Sequence, residues 1–487
     1  MNILQIRKAI KDGTTSCLEE FLRCKKLFED DNKTETPLNA IIEFFDDSSK
    51  LAEKADEEIA NARKNGTLDE LFAKKPLLGV SFAVKDNISV RGKSCTCCSK
   101  ILDTYISPYN ATVIQRLLDC GAIPVGRANM DEFAMGSSTE HSCYGPTRNP
   151  VNRDYAPGGS SGGSAAAVVA DQAAFALGSE TGGSVRLPAS YCGLYGYKPT
   201  YGVLSRWGVV AFGSSLDQVG LFGNSVDDIA IPLSVMAGKD VYDDTSCDLP
   251  LDDIKVGEKG IAPLEVRGLK VAIPKQFLVN EGLDEDVAKT FEATKEWFEK
   301  NGATVKVVDL PILDTSLACY YVIALSEAAS NLSRFDGIRY GNRIDEGKGY
   351  DDLYIKTRSE GFGDEVKRRI VIGNYVLSTN FSGDCYKTAM NVRHRMQKEI
   401  NEVFEKFDFM ICPTCPTPPF KLGSRIDDPL TMYLSDFFTI FVNLARVTAI
   451  SVPAGLSKDK LPIGIQFVSG ALSDGRLLRL AKSWEVR

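Results

Sequence analysis

Apolar and charged residues alternate at helical spacing through the first 70 residues. Ser16-Cys17-Leu18-Glu19 reads as a capping box that opens a helix running to about Phe28, and residues 51–64 read as a second, charge-rich helix. The character changes from Pro76. LLGVSFAVKD and GAIPVGRA are short apolar runs followed by turn residues, as buried strands are, and residues 111–120 between them have helical spacing. Residues 164–177 are apolar all round, which predicts a buried helix. The stretch 236–268 is acidic and loop-like. Alternation resumes with LKVAIPK, a helix near 284–301, and TVKVVDLP. A long amphipathic helix is expected over 380–407, before the proline-rich CPTCPTPPF. The pattern predicts a helical N-terminal region over 1–70 and one compact α/β unit over 71–487.

Composition narrows the function. A chain of 487 residues with 44% hydrophobic and 25% charged residues has ordinary globular proportions. A net charge of −8 argues against this chain gripping nucleic acid by itself, since phosphate contacts need clustered Lys and Arg. The N-terminus MNILQIRKAIKDGTTS has no apolar core of a secretion signal, and the longest apolar segment, 165–177, is too short to span a bilayer. A soluble cytoplasmic protein without membrane contact is expected. The 13 cysteines are scattered, which suits a reducing compartment. Two clusters, Cys95-Thr96-Cys97-Cys98 and Cys412-Pro413-Thr414-Cys415, could hold zinc only by meeting in space, so burial as small hydrophobes is the expectation and no metal is assigned.

The candidate chemistry lies in two glycine-cushioned serine clusters, GGSSGGSAAA at 158–167 and GSETGGSVRLPAS at 178–190. A P-loop is excluded because the first has no lysine after its glycines. Gly158-Gly159-Ser160-Ser161-Gly162 matches a nucleophile elbow, but no strand precedes it and neither histidine serves: His141 comes before it in the chain, and His394 lies mid-helix between arginines. A flexible linker would not run straight into an apolar helix. The remaining reading joins Ser160 and Ser184 in one site. Thr181-Gly182-Gly183-Ser184 can aim consecutive N–H groups at one oxygen. With histidine scarce, Lys85 at the end of SFAVKDN is the candidate base, its pKa lowered by burial.

Together SFAVKDN, GGSSGGSAAA and GSETGGSVRLPAS resemble, in order and spacing, the three catalytic segments of the amidase signature family. The resemblance runs from about residue 77 to 484. It implies a central mixed β-sheet covered by helices on both faces, and a Ser-Ser-Lys triad: Ser184 as nucleophile, Ser160 as proton relay after a cis peptide bond, and Lys85 as base. Thr181, Gly182, Gly183 and Ser184 would form the oxyanion hole. GRANMDEFAMGSSTEHSCYGPTRNP, YKPTYGVLSRWGVVAFGSSLDQVG, EVKRRIVIGNYVLS and DPLTMYLSD further resemble the tRNA-dependent amidotransferase branch of that family. That likeness implies glutamine as substrate, with Arg369 for its α-carboxylate and Asp436 for its α-ammonium. It also implies B and C partner subunits, misacylated Glu-tRNA(Gln) or, as the open alternative, Asp-tRNA(Asn) handled through the complex, and ATP and Mg²⁺ used by the partner, with no cofactor in this chain. The alternative within the family is a stand-alone amidase for another small amide. Cys415, Phe441-Val442 and Arg446-Val447-Thr448 depart from the family pattern, the last where relatives carry Gly-Val-Pro.

Overall fold

The computed structural model describes residues 1–250, 254, 256–257, 259–278, 282–378 and 384–487. Eleven strands form one mixed sheet: β1 (Ile41–Phe44), β2 (Ser81–Lys85), β3 (Ile123–Ala128), β4 (Phe175–Glu180), β5 (Tyr195–Lys198), β6 (Gln218–Gly223), β7 (Lys270–Pro274), β8 (Thr304–Val308), β9 (Phe409–Pro413), β10 (Thr448–Leu456) and β11 (Pro462–Ser469). Their order is β1-β3-β2-β4-β6-β5-β10-β11-β9-β7-β8. β3, β2 and β4 run parallel, as do β9, β7 and β8, and antiparallel pairs join these two wings.

Both faces of the sheet are covered. Along β9, Phe409 and Ile411 enter one apolar cluster while Met410 and Cys412 enter another, and β10 alternates the same way with Ile450 and Val452 against Ala449. Period-2 alternation puts successive side chains on opposite faces, so these two strands feed two cores, whereas the apolar residues of β2 and β4 all join the first. The first core also takes Phe291 and Phe298 from the helix Glu285–Lys300 and Leu477, Leu480 and Trp484 from the C-terminal helix. The second takes Ile323 and Ala328 from Ser316–Leu332 and Met396 and Ile400 from Asp384–Phe404.

Ser16 and Glu19 close a complete capping box on the helix Cys17–Asn32, and the charge-rich helix spans Ser49–Asn65. The helix Ile3–Asp12 precedes them, and its Ile3, Ile6 and Ile10 join the same core as Phe82 of β2 and Phe175 of β4. The N-terminal region also carries β1, which adds antiparallel to β3. Four residues, IIEF, are too few to show a period.

One expected helix divides in two. Residues 164–169 complete the helix Gly162–Val169. The chain then turns through Asp171 at φ 56° and enters β4, flanked by β2 and β6. An all-apolar run gives the same pattern as a buried helix and as a central strand. The expected helix over 380–407 is described from Asp384 to Phe404, and its first four positions lie outside the described residues. CPTC begins inside β9, and β9, β5, β6, β10 and β11 all lie where the pattern assigned no element. Arg446, in the position of the family's glycine, takes φ 62°.

Small residues at 162–167 let the helix Gly162–Val169 approach its neighbours. A methyl on Gly163 would lie 2.4 Å from Asn129 O, 2.5 Å from Asn129 N and 2.6 Å from Ala40 O, all backbone atoms that cannot swing away. Gly163→Ala is therefore expected to destabilise the fold by about 3 kcal/mol, the upper range for overpacking. Urea unfolding checks this, and an unchanged midpoint would contradict the close approach.

Candidate active site

Because β2 and β4 are parallel neighbours, their C-terminal ends share one edge of the sheet, with Lys85 ending one and Ser179-Glu180 the other. The first serine cluster lies across that edge. Lys85 Nζ is 2.7 Å from Ser160 Oγ, 2.7 Å from Ser161 Oγ and 3.2 Å from the Ser179 carbonyl. Lys85 is fully buried, and desolvation brings its pKa down to about 7, against the opposing pull of Asp131 and Asp217. No salt bridge reaches it among the described residues.

The loop that presents Ser160 is held from below. Asp131 N donates to Ser160 O (3.1 Å), and Thr139 bridges the loop, donating to Gly158 O and accepting from Gly162 N, both at 2.9 Å. The Gly159–Ser160 peptide bond is cis. A methyl on Gly159 would fall 2.6 Å from Ser138 N and 2.7 Å from Thr139 N, backbone atoms that cannot swing away, so this position admits only glycine. Gly158, at φ 81°, packs against Leu187 and Pro188, which brings the first serine loop onto the segment that follows Ser184.

The second cluster turns from β4 into the helix Arg186–Cys192. Glu180 Oε2 accepts from the N–H groups of Val185 and Arg186, both at 3.0 Å, and Oε1 from Arg186 Nε at 2.9 Å. Thr181 Oγ donates to Asp217 Oδ1 (2.6 Å), and Thr439 Oγ donates to Gly182 O (2.7 Å). Burial pushes Asp217 up to about 6. These bonds fix the loop by its side chains and carbonyls. Among the described residues, the N–H groups of Thr181, Gly182, Gly183 and Ser184 and the Ser184 hydroxyl have no protein acceptor. Ser184 remains 7% exposed while Ser160 is wholly buried.

One charged residue borders this loop, and a second is linked to it through Tyr320. Asp436 Oδ1 lies against Gly183, where an added methyl would sit 2.8 Å away; Oδ2 accepts from Ser137 Oγ (2.7 Å), and Oδ1 is buried without a partner. Burial raises Asp436 to about 7. Arg369 projects from the helix Asp364–Leu377 into a cage of Phe212, Tyr321 and Tyr433, 5.2 to 5.9 Å from each ring centre. Its Nε donates to Glu365 Oε1 (2.7 Å), and its Nη atoms hydrogen-bond to no carboxylate or carbonyl among the described residues. Both Arg369 and Asp436 act electrostatically on Tyr320, whose ring lies against Gly182. Sequence reasoning passed over Ser161, the Ser179 carbonyl, Ser137, Glu365 and Tyr433. Only the Glu365–Arg369 spacing of four residues on one helix carried a readable signal.

His394 is exposed on its helix. Cys95, Cys97, Cys98, Cys412 and Cys415 are free and buried, and among the described residues no group of three or more His, Cys, Asp and Glu could hold a metal. The helical run Pro311–Leu332 is long and apolar enough to cross a membrane by length and composition alone, and 61% of its apolar window is buried in the fold.

The family model for amidases matches residues 26–478. The chain belongs to the amidase family. It is 57% identical to the A subunit of the glutamyl-tRNA(Gln) amidotransferase of Treponema denticola over 485 residues, covering 100% of this chain and 98% of the relative. With the corresponding protein of Treponema pallidum it shares 51% over 488 residues, covering 99% and 96%. Among solved structures, the A subunit of the Thermotoga maritima glutamyl-tRNA(Gln) amidotransferase superposes with a TM-score of 0.71 at 44% identity, covering 84% of this chain and 83% of that one. A peptide amidase from Stenotrophomonas maltophilia gives 0.82 at 25% identity, covering 100% and 96%. The Ser-, Gly- and Lys-bearing edge described above therefore belongs to an amidase fold.

Burial also brings Lys198 down to about 7, so two lysines of this amidase should titrate near neutrality. In ¹³Cε-lysine NMR, two resonances are expected to shift with midpoints near pH 7, and Lys85→Met to remove one of them. Midpoints confined to the ordinary lysine range near 10.4 would contradict the burial argument.

Proposed function

We propose that this chain is the glutamine-hydrolysing subunit of a tRNA-dependent amidotransferase. The observation that carries the reading is Asp436 Oδ1, a buried carboxylate oxygen without a partner, set against Gly183 in the loop that bears Ser184. An orphan anion in that place calls for a cationic group elsewhere on the same small substrate. Free glutamine supplies one in its α-ammonium, and its α-carboxylate suits the open Nη edge of Arg369.

In this reading Ser184 is the nucleophile, Ser160 the relay and Lys85 the base. Hydrogen-bond inventory sets the direction of the proton. Ser161 Oγ donates to Ser179 O (3.2 Å), so its remaining capacity is to accept from Lys85. A neutral amine has two N–H bonds, which serve Ser161 Oγ and the Ser179 carbonyl; its lone pair then faces the Ser160 hydroxyl. As Ser184 Oγ attacks Cδ of glutamine, its proton passes to Ser160 and the Ser160 proton passes to Lys85. The N–H groups of Thr181 to Ser184 receive the oxyanion, where one lost donor costs about 3 kcal/mol. Collapse returns the proton to the leaving nitrogen and releases ammonia. Water then adds to the acyl-enzyme by the same relay and glutamate departs.

Ammonia would pass to a B subunit that, with ATP and Mg²⁺, activates the glutamyl group of misacylated Glu-tRNA(Gln), with a C subunit completing a heterotrimer in the cytoplasm. The names of the Treponema relatives support this assignment, and the net charge of −8 suits a subunit that need not grip tRNA. Ser184→Ala is expected to abolish ammonia release from glutamine while the assembled complex keeps its ammonia-dependent transamidation. Loss of both activities together would contradict this division of labour.

A further inference from the structure

Arg369 needs a fixed orientation to serve one carboxylate, and its own cage does not supply it. Three aromatic rings hold the guanidinium by their faces, which does not by itself select the edge it presents to a ligand. The in-plane restraint comes from Glu365, one helical turn earlier on the same face. Glu365 Oε1 accepts from Arg369 Nε (2.7 Å) and from Tyr433 OH (2.9 Å), while Oε2 accepts from Arg368 Nη1. Tyr433 therefore closes a triangle: its ring covers the guanidinium and its hydroxyl holds the carboxylate that holds Nε.

We propose that Glu365 and Tyr433 are positioning residues that set the substrate selectivity of this amidase for an α-carboxylate. By occupying Nε they turn the two Nη donors outward as a preorganised fork. The charges agree: Arg368 and Arg369 against Glu365 leave one net positive charge, which one ligand carboxylate neutralises. Arginine–carboxylate recognition of this kind is bidentate and loses strength when the fork is misdirected. Glu365 touches no reacting atom, so its removal should spare the chemical step. Glu365 also borders an open cavity of about 440 Å³ together with Glu132, His141 and Arg368, so water can reach a neutral replacement.

The inference rests on the glutaminase reading, and the test separates the two. Steady-state hydrolysis by the full-length chain, with its co-purified partners, is compared for glutamine and for glutaminamide, which lacks the α-carboxylate. Glu365→Gln is expected to raise KM for glutamine about tenfold, with kcat within twofold and KM for glutaminamide unchanged. Tyr433→Phe should raise the glutamine KM severalfold, and the double variant should lose no more than Glu365→Gln, because both act through the same oxygen. Equal losses on the two substrates, or additive losses in the double variant, would overturn the positioning role. So would unchanged selectivity. If Glu365→Gln fails to fold, as judged by its thermal midpoint, Tyr433→Phe carries the same comparison. Arg369→Ala should abolish the preference for glutamine outright. If it does and Glu365→Gln does not alter it, only this inference fails; if Arg369→Ala leaves the preference intact, the glutamine assignment itself fails.

Discussion

Burying an amine without a carboxylate beside it is costly, and the catalytic edge of this fold is organised around one such amine. Lys85 is held by two hydroxyls and a carbonyl, none of them charged, so its burial is relieved by losing its proton rather than by pairing. That single constraint explains several neighbouring features. Water must be kept off Nζ, which requires two loops to close over the end of β2. Close approach in turn leaves no room for Cβ atoms at Gly158, Gly159 and Gly163. In the proposed mechanism a dry lysine also takes over the part that a histidine would play, in a chain with only two histidines, one of them exposed.

The buried charges around the site fall into two kinds. Glu180 has every oxygen engaged, with backbone N–H groups of Val185 and Arg186 and the Arg186 guanidinium, and Arg186 also reaches Gln466, Asn443 and the Thr439 carbonyl. A pair so fully satisfied shapes the loop and has no capacity left for a ligand. Asp436 is the opposite case, with one oxygen bonded to Ser137 and the other bare. Arg369 is intermediate, tied at Nε and open at its Nη edge. The difference between satisfied and unsatisfied buried charge separates scaffold from substrate site more sharply than burial alone.

Much of this was legible in the sequence, unevenly and for physical reasons. The strands β2 and β3 and the helix Thr112–Asp119 between them could be read because turn residues bracket short apolar runs. Lys85, Ser160 and Ser184 stood out because glycine clusters and a lysine at a strand end are rare combinations. The division of 164–177 into helix and strand was hidden, since full burial erases periodicity. β1 and β9 were hidden too: one is four residues long, and the other ends in the proline-rich segment. Glu365 and Tyr433 are 68 residues apart and meet only through the tertiary fold.

The neutral amine at position 85 is the centre of the account, and the pH dependence of kcat at saturating glutamine tests it most directly. Saturation isolates the chemical step from the titration of Asp436, to which the proposal gives a part in binding. Because the base must be unprotonated, the rate should fall tenfold per pH unit below about 7, the pKa that burial gives Lys85, and level off above it. A rate independent of pH from about 5 to 9, or one still rising toward the ordinary lysine range near 10.4, would contradict it.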